Sequence, residues 1–438
     1  MLRSGSAVLV LSALAGCGSG DHFAPLPPLD GVKTLILVTA DRAEILADPG
    51  DPAPIKLDAP EASLLLYGAA PADLDLAVGP LPLVGPEEPN GQPLPPPDRS
   101  YVLRGDALIE MPLPEAVTAM RVRPPCAQLI AETVPVDSTM SRSVVVAGSL
   151  AALTGDNRLL RIDSASVTPI PLPFAVRSFV EPAALVRRSG FVLATAGTLA
   201  YFDSGFALTG TAALPALQPA LDESHGISGL ASYDGSVLHL LRTTGEVTVI
   251  EGGQVSSWPA PTDLPPQGRD CSPRPYISYD ARGEVLINPS TGWNYVRTGT
   301  TWSAQPIVGR SAACGGDLVN TTSFGAIALV SFLRERADRT PVRLYQRQGD
   351  AWTFLVSDER FSPDSVAELG GHLFVSGADS IQEVRVPKAR APYVCQGPPI
   401  VEHYGSIIRA LADQLIVHGS PRTPGAPRVF TRFRVVER

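Results

Sequence analysis

A hairpin turn recurs along most of this chain at spacings that stay in the forties. It falls at Gly148, Gly190, Gly235, Gly283, Gly325, Gly371 and the pair Ala412-Asp413. A second marker keeps step with the first. Tyr295-Val-Arg-Thr-Gly299-Thr-Thr-Trp302 returns as Tyr345-Gln-Arg-Gln-Gly349-Asp-Ala-Trp352, with weaker copies beginning at Tyr201 and Val249. The unit is clearest over Ile227–Pro259, which reads as four short strands, Ile227–Ser232, Ser236–Arg242, Glu246–Glu251 and Gln254–Trp258. Asp234-Gly235 and Gly252-Gly253 supply the left-handed conformations that tight hairpins require. Apolar residues fill the first two strands almost continuously, as expected of a sheet covered on both faces. One such sheet by itself would leave an apolar face in water, so each unit needs a neighbour on either side.

Counting the markers gives seven units. The last holds three strands, Ser406–Leu411, Gln414–His418 and Arg428–Val436, before the chain ends. The missing outer strand is available at Ala127–Val134, ahead of the first full unit, so strands from both ends of the domain complete one sheet. Closure of this kind removes the open ends of a repeat array. The reading is therefore all-β: a seven-bladed β-propeller over 126–438, preceded by a small, sandwich-like β domain over 30–125. Strands are expected in that smaller domain at Lys33–Thr39, Arg42–Leu46, Glu61–Tyr67, Tyr101–Arg104 and Ala116–Val122, with the proline-dense Pro80–Pro97 as an exposed, extended loop. No Kelch, WD or pyrroloquinoline-quinone signature marks the blades.

The N-terminus carries an address. Arg3 followed by the apolar run Ala7–Leu14 has the form of an export signal, and it ends in Leu14-Ala15-Gly16-Cys17. This tetrad resembles the lipobox of bacterial lipoproteins. The resemblance implies a signal peptide over 1–16, cleavage before Cys17, lipidation of that cysteine and a tether over 17–29. Attachment to a membrane then runs through several acyl chains, which hold far better than one. Gly18 stands where an inner-membrane retention signal of that family would have Asp, which implies an outer-membrane, periplasmic or surface-facing protein. Nothing after the N-terminus is long and apolar enough to span a bilayer.

Four cysteines remain for an oxidising compartment: Cys126, Cys271, Cys314 and Cys395. Cys271 and Cys314 each precede the first strand of consecutive blades, which predicts the pair Cys271–Cys314 and, by elimination, Cys126–Cys395. A metal site is the rival use of these thiols, though no C-x-x-C pair is present.

No catalytic or phosphate-binding motif occurs, and no cofactor is expected. His239, His372 and His418 lie in second strands, where a structural role is expected. His225, after Asp222-Glu223-Ser224, and His403, after Glu402, lie in loops entering a blade, where metal binding or proton transfer is conceivable. Tyr and Trp at the strand ends are expected to pack between blades. Arg142, Arg177, Arg269, Arg310 and Arg360 recur in the connections entering blades. A ring of guanidinium groups there suits an acidic glycan or an acidic segment of an envelope protein. The net charge of -9 argues against nucleic acid as a partner. The expected function is a non-enzymatic binding or assembly module; the alternative is a hydrolase or lyase acting on an envelope glycan or exported molecule.

Overall fold

The computed structural model describes residues 26–39, 43–47, 62–88, 90–104, 107–156, 158–172, 184–187, 190–194, 198–213, 227–231, 237–242, 244–262, 276–279, 284–288, 293–307, 318–324, 327–333, 342–349, 351–358, 361–377, 379–405, 407–426 and 428–436. The chain separates into two compact units, Met1–Pro125 with Lys388–Arg390, and Cys126–Pro387 with Ala391–Arg438.

The first unit is built on the run Thr34–Val38, which is buried at every position. Such a strand belongs at the centre of a sheet with both faces covered. It pairs with Ala43–Ala47 on one side and Ser63–Tyr67 on the other, inside a six-stranded sheet. Alternation sends Ile36, Val38, Ile45 and Leu65 to one face, packed on Leu74, Leu81 and Val122. It sends Leu35, Leu37, Leu64 and Leu66 to the other, where Tyr101 and Leu103 join them. Leu26 and Leu29, inside the stretch read as a tether, pack on this second face. A three-stranded sheet, in which Arg121–Val122 lies between Leu83–Val84 and Gln92–Pro93, contributes Val122 to the first face.

Two expectations for this unit are corrected. Ala116–Val122 is not one strand: Glu115–Thr118 forms a helical turn, and only Arg121–Val122 is extended. Pro114 is the N-cap residue of that turn, with φ of -56° imposed by its ring and ψ of 147°, outside the helical region. The Thr118 hydroxyl then donates to Glu115 O at 2.8 Å. Pro80–Pro97 is not wholly loop either. It supplies two-residue strands at Leu83–Val84 and Gln92–Pro93, kept short because proline cannot donate to a ladder.

The second unit is a β-propeller. Among the described residues it holds seven four-stranded antiparallel sheets. The unit first read over Ile227–Pro259 consists of Ile227–Ala231, Val237–Arg242, Val247–Glu251 and Gln254–Trp258, in that order across the sheet. In each sheet the first-in-sequence repeat strand stands at one edge. These inner strands, Met140–Val146, Ala184–Arg187, Ile227–Ala231, Tyr276–Tyr279, Leu318–Phe324, Phe361–Leu369 and Ile407–Leu411, touch one another in a closed cycle. Gln128–Pro135 supplies the outer strand of the closing sheet, pairing with Val429–Val436 from Gln128↔Val436 to Pro135↔Val429.

Apolar cores lie between sheets. On one side of the closing sheet Leu411, Ile416 and Phe430 pack with Met140, Leu150 and Leu160 of the first blade. On the other, Ile408, Leu415 and Phe433 pack with Phe374 and Ile381 of the sixth. Phe430 and Phe433 are fully buried, each contributing about 1.5–3 kcal/mol. Turn chemistry follows the register. Gly148 and Gly371 adopt φ of 80° and 78°, and Ala412 takes the same left-handed region at 53°.

The recurrent Arg and Trp of the second marker serve these interfaces. Trp302 pairs across its hairpin with Arg297, and Trp352 with Arg347. The Arg297 guanidinium lies 4.9 Å from the Trp258 ring of the preceding blade and 5.2 Å from Trp302. Trp302 Nε1 donates to Pro259 O at 2.8 Å, so the aromatics join consecutive blades as expected.

Candidate functional site

The best-defined polar cluster lies where the ring closes. Cys126 and Cys395 form a disulfide, with Cα atoms 5.9 Å apart. Cys126 immediately precedes the closing strand, and Cys395 sits in Tyr393–Pro399, the outer strand of the sixth blade. Behind them Glu383, 2 % exposed, pairs with Cys395 in the ladder. Its Oε2 accepts the Ala127 N–H at 2.6 Å. Its Oε1 accepts from His372 Nδ1 at 2.6 Å and from Arg385 Nη1 at 3.0 Å. A buried carboxylate with this many donors is well satisfied. Cys126, Cys395 and Glu383 do present donor atoms within 4.8 Å of one another, the spacing of a metal site. Both sulfurs are bonded to each other, however, and the carboxylate serves the backbone of the closing strand.

A second layer of the seam joins the second strand of the closing blade, Gln414–His418, to the inner strand of the first blade. His418, 1 % exposed, has Nδ1 3.3 Å from Met140 O and Nε2 2.9 Å from the Ser143 hydroxyl. A carbonyl can only accept, so Nδ1 carries the proton and Nε2 accepts from Ser143. Burial, helped by the nearby Arg409 charge, lowers the His418 pKa to about 3. His403 repeats the arrangement: Nδ1 donates to Tyr404 O at 3.0 Å, and Nε2 accepts from Thr431 Oγ1 at 2.9 Å. It too is 1 % exposed, and burial lowers its pKa. His239 is buried against Trp258, with ring centroids 4.8 Å apart, and burial holds its pKa near 4. Ser143 and His418 have the contact distance of a nucleophile and its base. Yet a carbonyl stands where an orienting carboxylate would be, and a base this weak draws little proton density from a hydroxyl near neutral pH.

The residues singled out from sequence distribute unevenly over this picture. Cys17, Cys271, Cys314, Arg177, Arg269, Arg310, Arg360 and His225 lie outside the described residues. Arg142 is placed by its backbone alone, in the inner strand of the first blade. Cys126 and Cys395 pair as expected. His403 does lie in a loop entering a blade, but its ring faces inward to Thr431 rather than outward to a ligand.

Sequence reasoning missed Arg409, Ser143 and Glu383. Arg409 carried a usable signal, being the one charge in the apolar inner strand Ile407–Leu411. Its Nε donates to Ser143 O at 3.0 Å and its Nη1 to Ile408 O at 2.7 Å. Burial lowers its pKa to about 10, so it remains a cation at neutral pH.

No protein-family model matches the chain, and neither does any curated protein. Among solved structures it is similar to that of U3-55K, at 11% identity and a TM-score of 0.49, over 69% of this chain and 98% of the other. The RRP9 WD40 repeats align at 12% identity and 0.49, over 70% and 97%. YCF48 bound to D1 peptide aligns at 11% identity and 0.48, over 70% and 96%.

Proposed function

We propose that this protein is an envelope lipoprotein, held at the outer membrane through a lipidated Cys17, whose propeller is a non-enzymatic binding or assembly module. The observation that carries the second half of this reading is the state of the described seam histidines. His403 and His418 each donate from Nδ1 to a backbone carbonyl and accept a hydroxyl at Nε2, neutral and shielded from solvent. Groups held this way stiffen a scaffold; they neither deliver nor remove protons at a surface. The disulfide and the Glu383 bond to Ala127 lock the same seam, giving a preorganised ring on which ligands pay little reorganisation. The recurrent entering-loop arginines favour an anionic ligand, either an acidic glycan or an acidic protein segment. The lipid anchor rests on Leu14-Ala15-Gly16-Cys17.

The hydrolase alternative has a specific candidate in Ser143 and His418, so it is open to direct test. A fluorophosphonate probe labels serines activated by a neighbouring base. The folded protein should show no adduct at Ser143. Labelling there that disappears in His418→Ala overturns the module reading. Lipidation is tested by palmitate incorporation in a bacterial host: Cys17→Ser should abolish it and leave a soluble or unprocessed chain. A variant that stays in the membrane fraction and is cleaved at the same bond refutes the anchor.

A further inference from the structure

The ring-closing disulfide has two unlike ends. Cys395 is 2 % exposed, in the outer strand of the sixth blade. Cys126 is half-buried, ahead of the closing strand. Beside them stands a carboxylate: an oxygen of Glu383 and the two Sγ atoms lie within 4.8 Å of one another. Its place is fixed from two directions. Oε2 takes the Ala127 N–H at 2.6 Å, and Oε1 takes His372 Nδ1 at 2.6 Å and Arg385 Nη1 at 3.0 Å. The ion pair with Arg385 sets a negative charge against the disulfide, in a site that water reaches poorly.

Thiol–disulfide exchange is sensitive to such a charge. A thiolate attacks one sulfur, forms a new S–S bond to it and expels the other sulfur as a thiolate. The less the departing anion is stabilised, the more slowly it leaves. Attack on Cys126, the accessible end, expels Cys395 into the buried site, where burial and Glu383 both oppose its negative charge. Attack on Cys395 requires the incoming thiolate to enter that same site against the same carboxylate.

We propose that Cys126 is the site at which small thiols modify this protein, and that Glu383 slows the reaction by opposing release of the Cys395 thiolate. The product of the first step is a mixed disulfide on Cys126 and a free thiol on Cys395. The attacking thiol gives its proton to solvent, and Cys395 takes one back. A second equivalent of thiol then frees Cys126 and leaves as the small-molecule disulfide. This inference concerns the covalent latch and does not depend on the binding-module reading.

The test uses the folded, oxidised full chain in excess reduced glutathione at about pH 8, where part of the reagent is thiolate. The reaction is quenched with acid, and the Cys126 and Cys395 peptides are mapped by mass spectrometry. Glutathione should be found on Cys126, with Cys395 recovered as a thiol. Glutathione on Cys395, or on both alike, overturns the assignment of the site. The variant Glu383→Gln keeps an acceptor for the Ala127 N–H and removes the charge. Under native conditions dithiothreitol should reduce its disulfide about fivefold faster, or more, than that of the wild type. Urea midpoints of the two oxidised proteins separate this effect from easier unfolding. Equal reduction rates, or a gain that the fall in stability accounts for, overturn the role of Glu383. In concentrated urea the two proteins should be reduced at the same rate, because only the fold brings the charge to the sulfurs. A difference that persists in urea, or a disulfide that resists glutathione in both folded proteins, overturns the proposal.

Discussion

Cys126 and Cys395 are joined across 269 residues of sequence, and the bond ties the start of the closing strand to the outer strand of the neighbouring blade. The strand it secures, Gln128–Pro135, completes the only sheet built from both ends of the propeller segment among the described residues. Covalent closure therefore falls at the point where the ring would open first.

Reduction, or the pair Cys126→Ser and Cys395→Ser, should release this strand. The chain-entropy model allows about 5 kcal/mol for a loop of this size, and native disulfides commonly contribute about 2–5 kcal/mol. Urea melts with and without reductant should show that loss, with a broader transition as the closing sheet separates early. A reduced protein that melts at the same urea concentration would contradict the latch.

Stability should fall on mild acidification. The pKa values of His239 and His418 in the fold are about 4 and about 3, and that of His403 is lowered, all below the unfolded value near 6.5. The unfolded chain therefore takes up protons first. The histidine contribution is intact above about pH 6.5 and declines as pH falls toward 4, by up to about 1.4 kcal/mol per pH unit for each residue. Carboxylates act lower. Asp156, held at about 2 first by the Ser138 hydroxyl, loses its contribution only below about pH 4. His418→Asn keeps a donor for Met140 O and should flatten the decline between pH 6.5 and 4. An unchanged slope would show that His418 does not titrate on unfolding.

The turn at Ala412 offers a stabilising change. Its φ of 53° is a left-handed conformation that Gly370 occupies at the same turn position, with φ of 59°, without a side-chain penalty, while Ala147 takes it at 45° with one. Ala412→Gly should raise stability by about 0.5–1 kcal/mol, since relief of the left-handed strain outweighs the added chain entropy. A lower melting temperature would mean that the side chain is held by contacts that offset the strain.

The blade interface at Trp302 should be sensitive. Trp302 meets Trp258 edge-on at 6.1 Å and sits beneath Arg297, whose Nε and Nη1 are buried without a hydrogen-bond acceptor among the described residues. At the same repeat position one blade later, Arg347 reaches Glu284 at 3.7 Å. Trp302→Ala should cost about 2–3 kcal/mol, below a full core tryptophan because the ring is half-buried. Equal urea midpoints for Trp302→Ala and wild type would show that the ring adds nothing to this blade interface.

Repeat period, turn positions and strand order were determined by the sequence itself, because hairpins are local. Val146 and Ser149 pair across Ala147-Gly148, and the residues that set such a register lie within a few positions of each other. The supply of the closing strand from the far end was also legible, since the last repeat lacked one strand and the chain held a spare. What the sequence left undecided depends on partners far apart along the chain. Ser143 and His418 are 275 residues apart, and Arg409 and Ser143 266. Whether a histidine is a neutral strut or a proton carrier depends on burial and on which atom faces each ring nitrogen. Whether an arginine is paired depends on which carboxylates the ring brings within about 4 Å. Those are properties of the tertiary structure. It turned His403 inward to Thr431 and set Arg409, unremarked among apolar neighbours, on the backbone carbonyls of Ser143 and Ile408.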